Sequence, residues 1–111
     1  MTYTVELTAT AESSILEQAQ YIAIEGQAPE NARRWLERVW DAVDSLEHSP
    51  RRGVIAPEDK YLPYEVRMLV VGSHLILFTI DDDLRKVVVV GFRHSKRLPR
   101  PGDLPAISPD A

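Results

Sequence analysis

Residues 65–93 constrain this fold more than any other part of the chain. Three stretches, 65–71, 74–80 and 86–93, are rich in Val, Ile, Leu and Phe, and only Gly72-Ser73 and the acidic run Asp81-Asp82-Asp83 separate them. A two-residue connection led by glycine closes an antiparallel hairpin, because its backbone twist matches that of the flanking strands. The acidic run supplies a second turn. The segments LILFTI and VVVVGF are apolar on both alternating parities, which predicts central strands covered on both faces or nearly so.

The first half reads differently. Residues 2–8 alternate, with Tyr3, Val5 and Leu7 on one side and threonines and Glu6 on the other, as in a strand with one buried face. From Ala9 the period lengthens. Ile15, Leu16, Ala19, Ile22 and Ala23 recur at helical steps; Thr8 or Thr10 can cap that helix, and Glu12 complements its dipole. Gly26 and Pro29 interrupt it. A second stripe, Ala32, Leu36, Val39, Val43 and Leu46, predicts a helix that begins near Pro29 and stops before Ser49-Pro50. A short gap between two amphipathic helices makes a helical hairpin. Residues 50–63, with three prolines and Gly53, read as a loop. The expected architecture is α+β, β-α-α-β-β-β: a helical hairpin packed on a mostly antiparallel four-stranded sheet, with the strand order left open. A chain of 111 residues makes one domain, expected over residues 1–98 and followed by a Pro-rich tail, 99–111, that is extended or partly disordered.

Charge is unevenly distributed. Residues 1–50 carry nine acids against three arginines, whereas the interval between Asp83 and Asp103 has no acid and holds Arg85, Lys86, Arg93, Lys96, Arg97 and Arg100. The net charge of −4 argues against a general nucleic-acid coat or an anionic-membrane binder. With no cysteine there is no disulfide scaffold, thiolate metal site or cysteine nucleophile. His48, His74 and His94 lack metal-ligand spacing, the glycines form no phosphate loop, and no cofactor is expected. No apolar run reaches the length of a membrane helix, and MTYTVELT is no signal peptide, so a cytoplasmic protein is expected.

In this order of elements the chain resembles the RelE/ParE superfamily, the toxins of type II toxin–antitoxin pairs once described as plasmid stabilisation proteins. The resemblance is carried by Tyr3-x-Val5-x-Leu7-Thr8, Tyr21-Ile22, Ala32-Arg33-x-Trp35-Leu36, Ser45-Leu46-x-x-Ser49-Pro50-x-x-Gly53, Arg67-x-Leu69-x-Val71-Gly72, Leu77-Phe78-x-Ile80-Asp81 and Arg93-His94-x-x-Arg97. It implies a toxin that inhibits bacterial growth, held by a cognate antitoxin. ParE-like members inhibit DNA gyrase; RelE-like members cleave mRNA on the ribosome without a metal; a non-toxic interaction domain of the same fold is the third alternative.

For cleavage, a 2′-hydroxyl must lose a proton, the phosphate must be neutralised and the leaving oxygen protonated. The resemblance places Arg67, His74, Arg93 and His94 in those roles. The segment after Arg97 has no aromatic residue, and an acidic chain suits rRNA poorly; with a long helical hairpin, these features place the chain closer to the ParE-like branch. Arg93, Lys96 and Arg97 are then expected to touch the target. Arg85 and Lys86 read as a solvated face. Trp35 and Trp40, five apart on one helix, cannot both be central to its buried face; Trp40 and Tyr21 are expected to contact the antitoxin.

Overall fold

The computed structural model describes residues 2–105; residues 106–111 of the expected tail lie outside them. In chain order the elements are β1 (Thr4–Leu7), α1 (Ala9–Ile24), α2 (Pro29–Ser45), β2 (Val54–Ile55), β3 (Arg67–Val71), β4 (His74–Asp81) and β5 (Lys86–His94). The expected α+β architecture is present with one correction. The sheet has five strands, ordered β1-β5-β4-β3-β2. The additional strand pairs Val54 with Met68 and Ile55 with Arg67. Two residues are too few to show a period, which is why 50–63 reads as loop. The same segment also holds 3₁₀ turns at Pro50–Arg52 and Pro57–Tyr61.

Local chemistry accounts for the helices. Thr8 caps α1, its Oγ1 accepting a bond from the Ala11 amide at 3.1 Å. Pro29 opens α2, where its missing N–H costs nothing. Arg33 spans Glu30 and Glu37 at 3.0 and 2.7 Å on the exposed face, worth a few tenths of a kcal/mol per pair. The buried stripe of α1 is narrower than its sequence suggests. Ala11 and Ile15 are buried and Ala19 and Ile22 pack against the core, whereas Leu16, one residue off the stripe, is 44% exposed.

The sheet separates two apolar clusters. Ile15, Val39, Leu46, Ile76, Phe78, Val87 and Val89 fill the space beneath the helical hairpin. Ala56, Tyr64, Val66, Leu75, Leu77 and Val90 fill the other face, with Leu104 from the tail packed against them. The coverage of both faces expected for the central strands is therefore met by helices on one side and by loop and tail on the other. The tail is not simply extended: Pro101–Asp103 is a 3₁₀ turn, and the Tyr64 hydroxyl donates to the Pro105 carbonyl at 2.7 Å. Packing thus continues past residue 98.

Two glycines have specific duties. Gly72 adopts φ +58 at the head of the β3–β4 turn, a conformation costly for residues with a Cβ. At Gly53 a Cβ would lie 2.8 Å from both the Met68 carbonyl oxygen and the Phe78 ring.

β5 contains the feature that positions everything at its C-terminal end. Leu77 pairs with Gly91 but Phe78 pairs with Val89, so Val90 is an extra residue, a β-bulge. Val87 and Val89 face the helices. A regular strand would continue that parity through Gly91 to Arg93. The bulge reverses it: Phe92 packs with the helical core, and Arg93 turns to the opposite face.

Candidate functional site

The parity reversal brings four ring side chains together where β4 and β5 meet α1 and α2. His74 and His94 are direct cross-strand partners, with ring centroids 5.1 Å apart and edge to face. His74 stacks on Phe92 at 5.0 Å with 4° between planes. Trp35 of α2 meets both edge-on, at 5.6 Å from His74 and 5.8 Å from Phe92, the arrangement the ring quadrupoles favour. Of the two tryptophans, Trp35 is therefore core. Trp40 is half-buried against the helical cluster.

A groove of about 410 Å³ opens beside these rings. One wall is a stripe of α1, Ser14, Glu17, Gln18 and Tyr21, at i, i+3, i+4 and i+7. The other wall comprises His74, His94 and Arg97, with Phe92 and Arg93 also lining the space. Tyr21 is 61% exposed and so presents most of its ring to solvent.

The two histidines differ in their surroundings. Burial holds the His74 imidazole below its ordinary pKa, and His94 adds a like-charge penalty. Nδ1 of His94 accepts a bond from the Lys96 amide at 3.0 Å. That bond assigns the ring proton of the neutral form to Nε2. His94 can donate from Nε2, but neither nitrogen is a free base.

Arg93 is committed to the structure. Its Nε donates to Glu58 Oε2 at 2.7 Å and Nη2 to Glu58 Oε1 at 3.3 Å; Nη1 donates to the Arg97 carbonyl at 2.8 Å. It is 9% exposed. Arg67 stands apart from the group. It pairs with Phe78, four positions along β3 from Val71, the partner of His74, a separation of ~13 Å at the rise of a strand. Its Nε donates to Glu65 at 2.7 Å and its Nη1 to the Gly53 carbonyl at 2.8 Å. The structure thus gathers His74, Arg93, His94 and Arg97 but leaves Arg67 elsewhere. Lys96 and Arg97 sit on the exposed turn after β5, outside any ion pair among the described residues. Arg85 and Lys86 lie at the far end of β5, where Lys86 pairs with Glu6 at 3.1 Å. Among the described residues no three His, Cys, Asp or Glu side chains converge as metal ligands would.

Several participants escaped sequence reasoning. The polar α1 stripe has helical spacing and could have been found beside the apolar one. Glu58 and Phe92 had no local signal: one is a loop acid after a proline, the other reads as ordinary strand.

The family model described as ParE toxin of type II toxin-antitoxin system, parDE, matches residues 5–99. Among solved structures the chain is similar to one from P. aeruginosa described as a chromosomal ParDE TA system. Identity is 16% and the TM-score 0.66, with 86% of this chain and 98% of that chain covered; a likeness at this identity speaks for the fold. No curated protein matches the chain.

Proposed function

The chain belongs to the ParE toxin family of type II toxin–antitoxin systems, and from that premise we propose that it arrests growth by binding DNA gyrase, without cleaving RNA. One observation carries the choice: three of the four groups that the resemblance assigns to cleavage are dispersed or already occupied. Arg67 lies ~13 Å along the sheet from the histidine pair, the Arg93 guanidinium is held by Glu58, and Nδ1 of His94 is bonded to Lys96. Of the basic groups lining the groove, only His74 and Arg97 are without a side-chain hydrogen bond or ion pair among the described residues, and one ring packed against Trp35 and Phe92 with one cation falls short of the base, acid and phosphate clamp that cleavage calls for.

The electrostatics support a protein target. The groove sets one acid, Glu17, against one exposed cation, Arg97, with the rings of His74, Phe92 and His94 also lining it. A phosphate-rich partner calls for a field of cations, whereas a mixed surface with an exposed tyrosine suits a protein. On this reading the target is touched by Lys96 and Arg97, while Arg93 braces them from behind.

A toxin of this family has an antitoxin partner. We place its contact on the helical hairpin, at Tyr21 and Trp40. Because Tyr21 also lines the groove, an antitoxin seated there would shield the target-binding wall and neutralise by occlusion. The setting of such a pair is the cytoplasm, and no helix among the described residues is long and apolar enough to cross a membrane.

The test is inducible expression in a bacterial host, with growth, DNA damage response and mRNA 5′ ends followed together, and gyrase supercoiling measured with purified protein. Arrest with DNA damage, intact messages and inhibited supercoiling is expected. New 5′ ends at ribosomal A-site codons with unaffected gyrase would overturn the proposal in favour of cleavage, and normal growth at confirmed expression would remove the toxic role altogether.

A further inference from the structure

Glu58 is the most buried charged side chain among the described residues, at 1% exposure. It comes from the loop on the sheet face away from the helices, and the target groove does not need its charge. Apolar residues of similar volume could fill the position, since a buried ion pair is often no more stable than a well-packed apolar replacement. A carboxylate can do one thing an apolar side chain cannot: it fixes the orientation of a guanidinium fork. Here the fork has work on its other side. Arg93 Nη1 donates to the Arg97 carbonyl at 2.8 Å and reaches the His94 carbonyl at 3.4 Å. The same turn is closed by Arg97 N–H to the His94 carbonyl at 3.1 Å and Ser95 N–H to the Ser73 carbonyl at 2.8 Å, and by Lys96 N–H to His94 Nδ1 at 3.0 Å.

We propose that Glu58 is a positioning residue for the basic turn: by orienting the Arg93 guanidinium it holds residues 94–97 in one geometry. The consequence is twofold. The Lys96 and Arg97 side chains meet a partner without first being ordered, which spares the entropy of ordering at binding. His94 keeps its proton on Nε2. The first consequence rests on the reading of this turn as the target contact.

The test compares the full-length wild type with two double variants, Glu58→Met with Arg93→Met and Lys96→Ala with Arg97→Ala. Three quantities are read: melting temperature, ¹⁵N imidazole shifts of His94, and the protein level needed for growth arrest. The methionine pair should melt close to the wild type, show His94 in mixed tautomers, and require at least ~10-fold more protein for arrest. A folded methionine pair with an unchanged His94 tautomer and unchanged potency overturns the role of Glu58. Full arrest by Lys96→Ala with Arg97→Ala instead overturns the turn as target contact, whatever Glu58 does. If the methionine pair does not fold, wild-type relaxation decides: order parameters of about 0.85 for the amides of residues 95–97 are expected, and values below about 0.6 overturn the proposal.

Discussion

Glu58→Gln isolates the charge of the buried pair. Glutamine has the shape of glutamate and can still accept from Arg93 Nε, where the present bond is 2.7 Å. What is removed is the counter-charge to a guanidinium that is 9% exposed. Taking away one partner of a buried pair costs about 3–5 kcal/mol; with one hydrogen bond kept, ~3 kcal/mol is expected. A chain of 111 residues has an unfolding entropy of about 0.23 kcal/mol/K near its midpoint, so the melting temperature should fall by about 13 °C. Circular dichroism melts and urea titration both read this. Two comparisons test the cause. Glu58→Met with Arg93→Met removes both charges and should lie within ~2 kcal/mol of the wild type. Raising NaCl to ~1 M should leave the Glu58→Gln deficit in place, because buried pairs are poorly screened. By contrast, the exposed Arg51–Asp82 pair, 2.6 Å apart, should contribute less as salt rises. A fall of less than ~4 °C, or one that disappears with salt, would show that water reaches the guanidinium and that burial is not what makes the pair costly to break.

Other outcomes follow from single sites. His74 is held below its ordinary pKa of 6.5 by burial first and His94 second, so the unfolded chain binds the extra proton more readily; stability should be full above about pH 6.5 and fall as the pH drops towards the lower folded value. Facing this ring are Trp35 of α2 and Phe92 and His94 of β5, with Glu17 across the groove and Arg97 on the same wall; His74→Phe should flatten that part of the pH–stability curve, and an unchanged curve would mean another group titrates. Truncation after Leu98 removes Leu104 from the second cluster and the Tyr64–Pro105 bond, a loss of ~2 kcal/mol or about 8 °C in melting temperature; an unaltered melt would make the tail dispensable. Gly53→Ala forces a Cβ to 2.8 Å from the Met68 carbonyl oxygen and the Phe78 ring and should cost ~1–3 kcal/mol, whereas an unaffected urea midpoint would mean the β2 loop shifts freely.

The parts of the fold that could be read from the sequence are those with a local period or a short connection. Gly72-Ser73 announced the hairpin that aligns β3 with β4, and Thr8 and Pro29 marked where the helices begin. The short strand β2 was hidden because Val54–Ile55 has no period to show, and its pairing with Arg67 and Met68 is fixed by contacts between distant segments. The strand order was equally silent: β1 lies parallel to β5, Thr4 opposite Lys86 and Leu7 opposite Val89, and nothing near either strand in sequence says so.

The site was half legible for one physical reason. That His74, Arg93, His94 and Arg97 would lie near one another follows from the two hairpin turns. Which face each would occupy does not. In β5 the run Val87-Val88-Val89-Val90 is apolar on both sides, because both sheet faces are covered, so an extra residue within it leaves no trace in the pattern. That residue decides the chemistry. Without the bulge at Val90, Arg93 would turn to the helix side of the sheet, away from Glu58, and Phe92 and His94 would face the loop that carries Glu58. With it, the guanidinium meets Glu58, Phe92 meets Trp35 and His74, and His94 meets His74. A basic cluster that reads as four candidate functional groups in a line is divided by one valine into a buried guanidinium and an exposed turn.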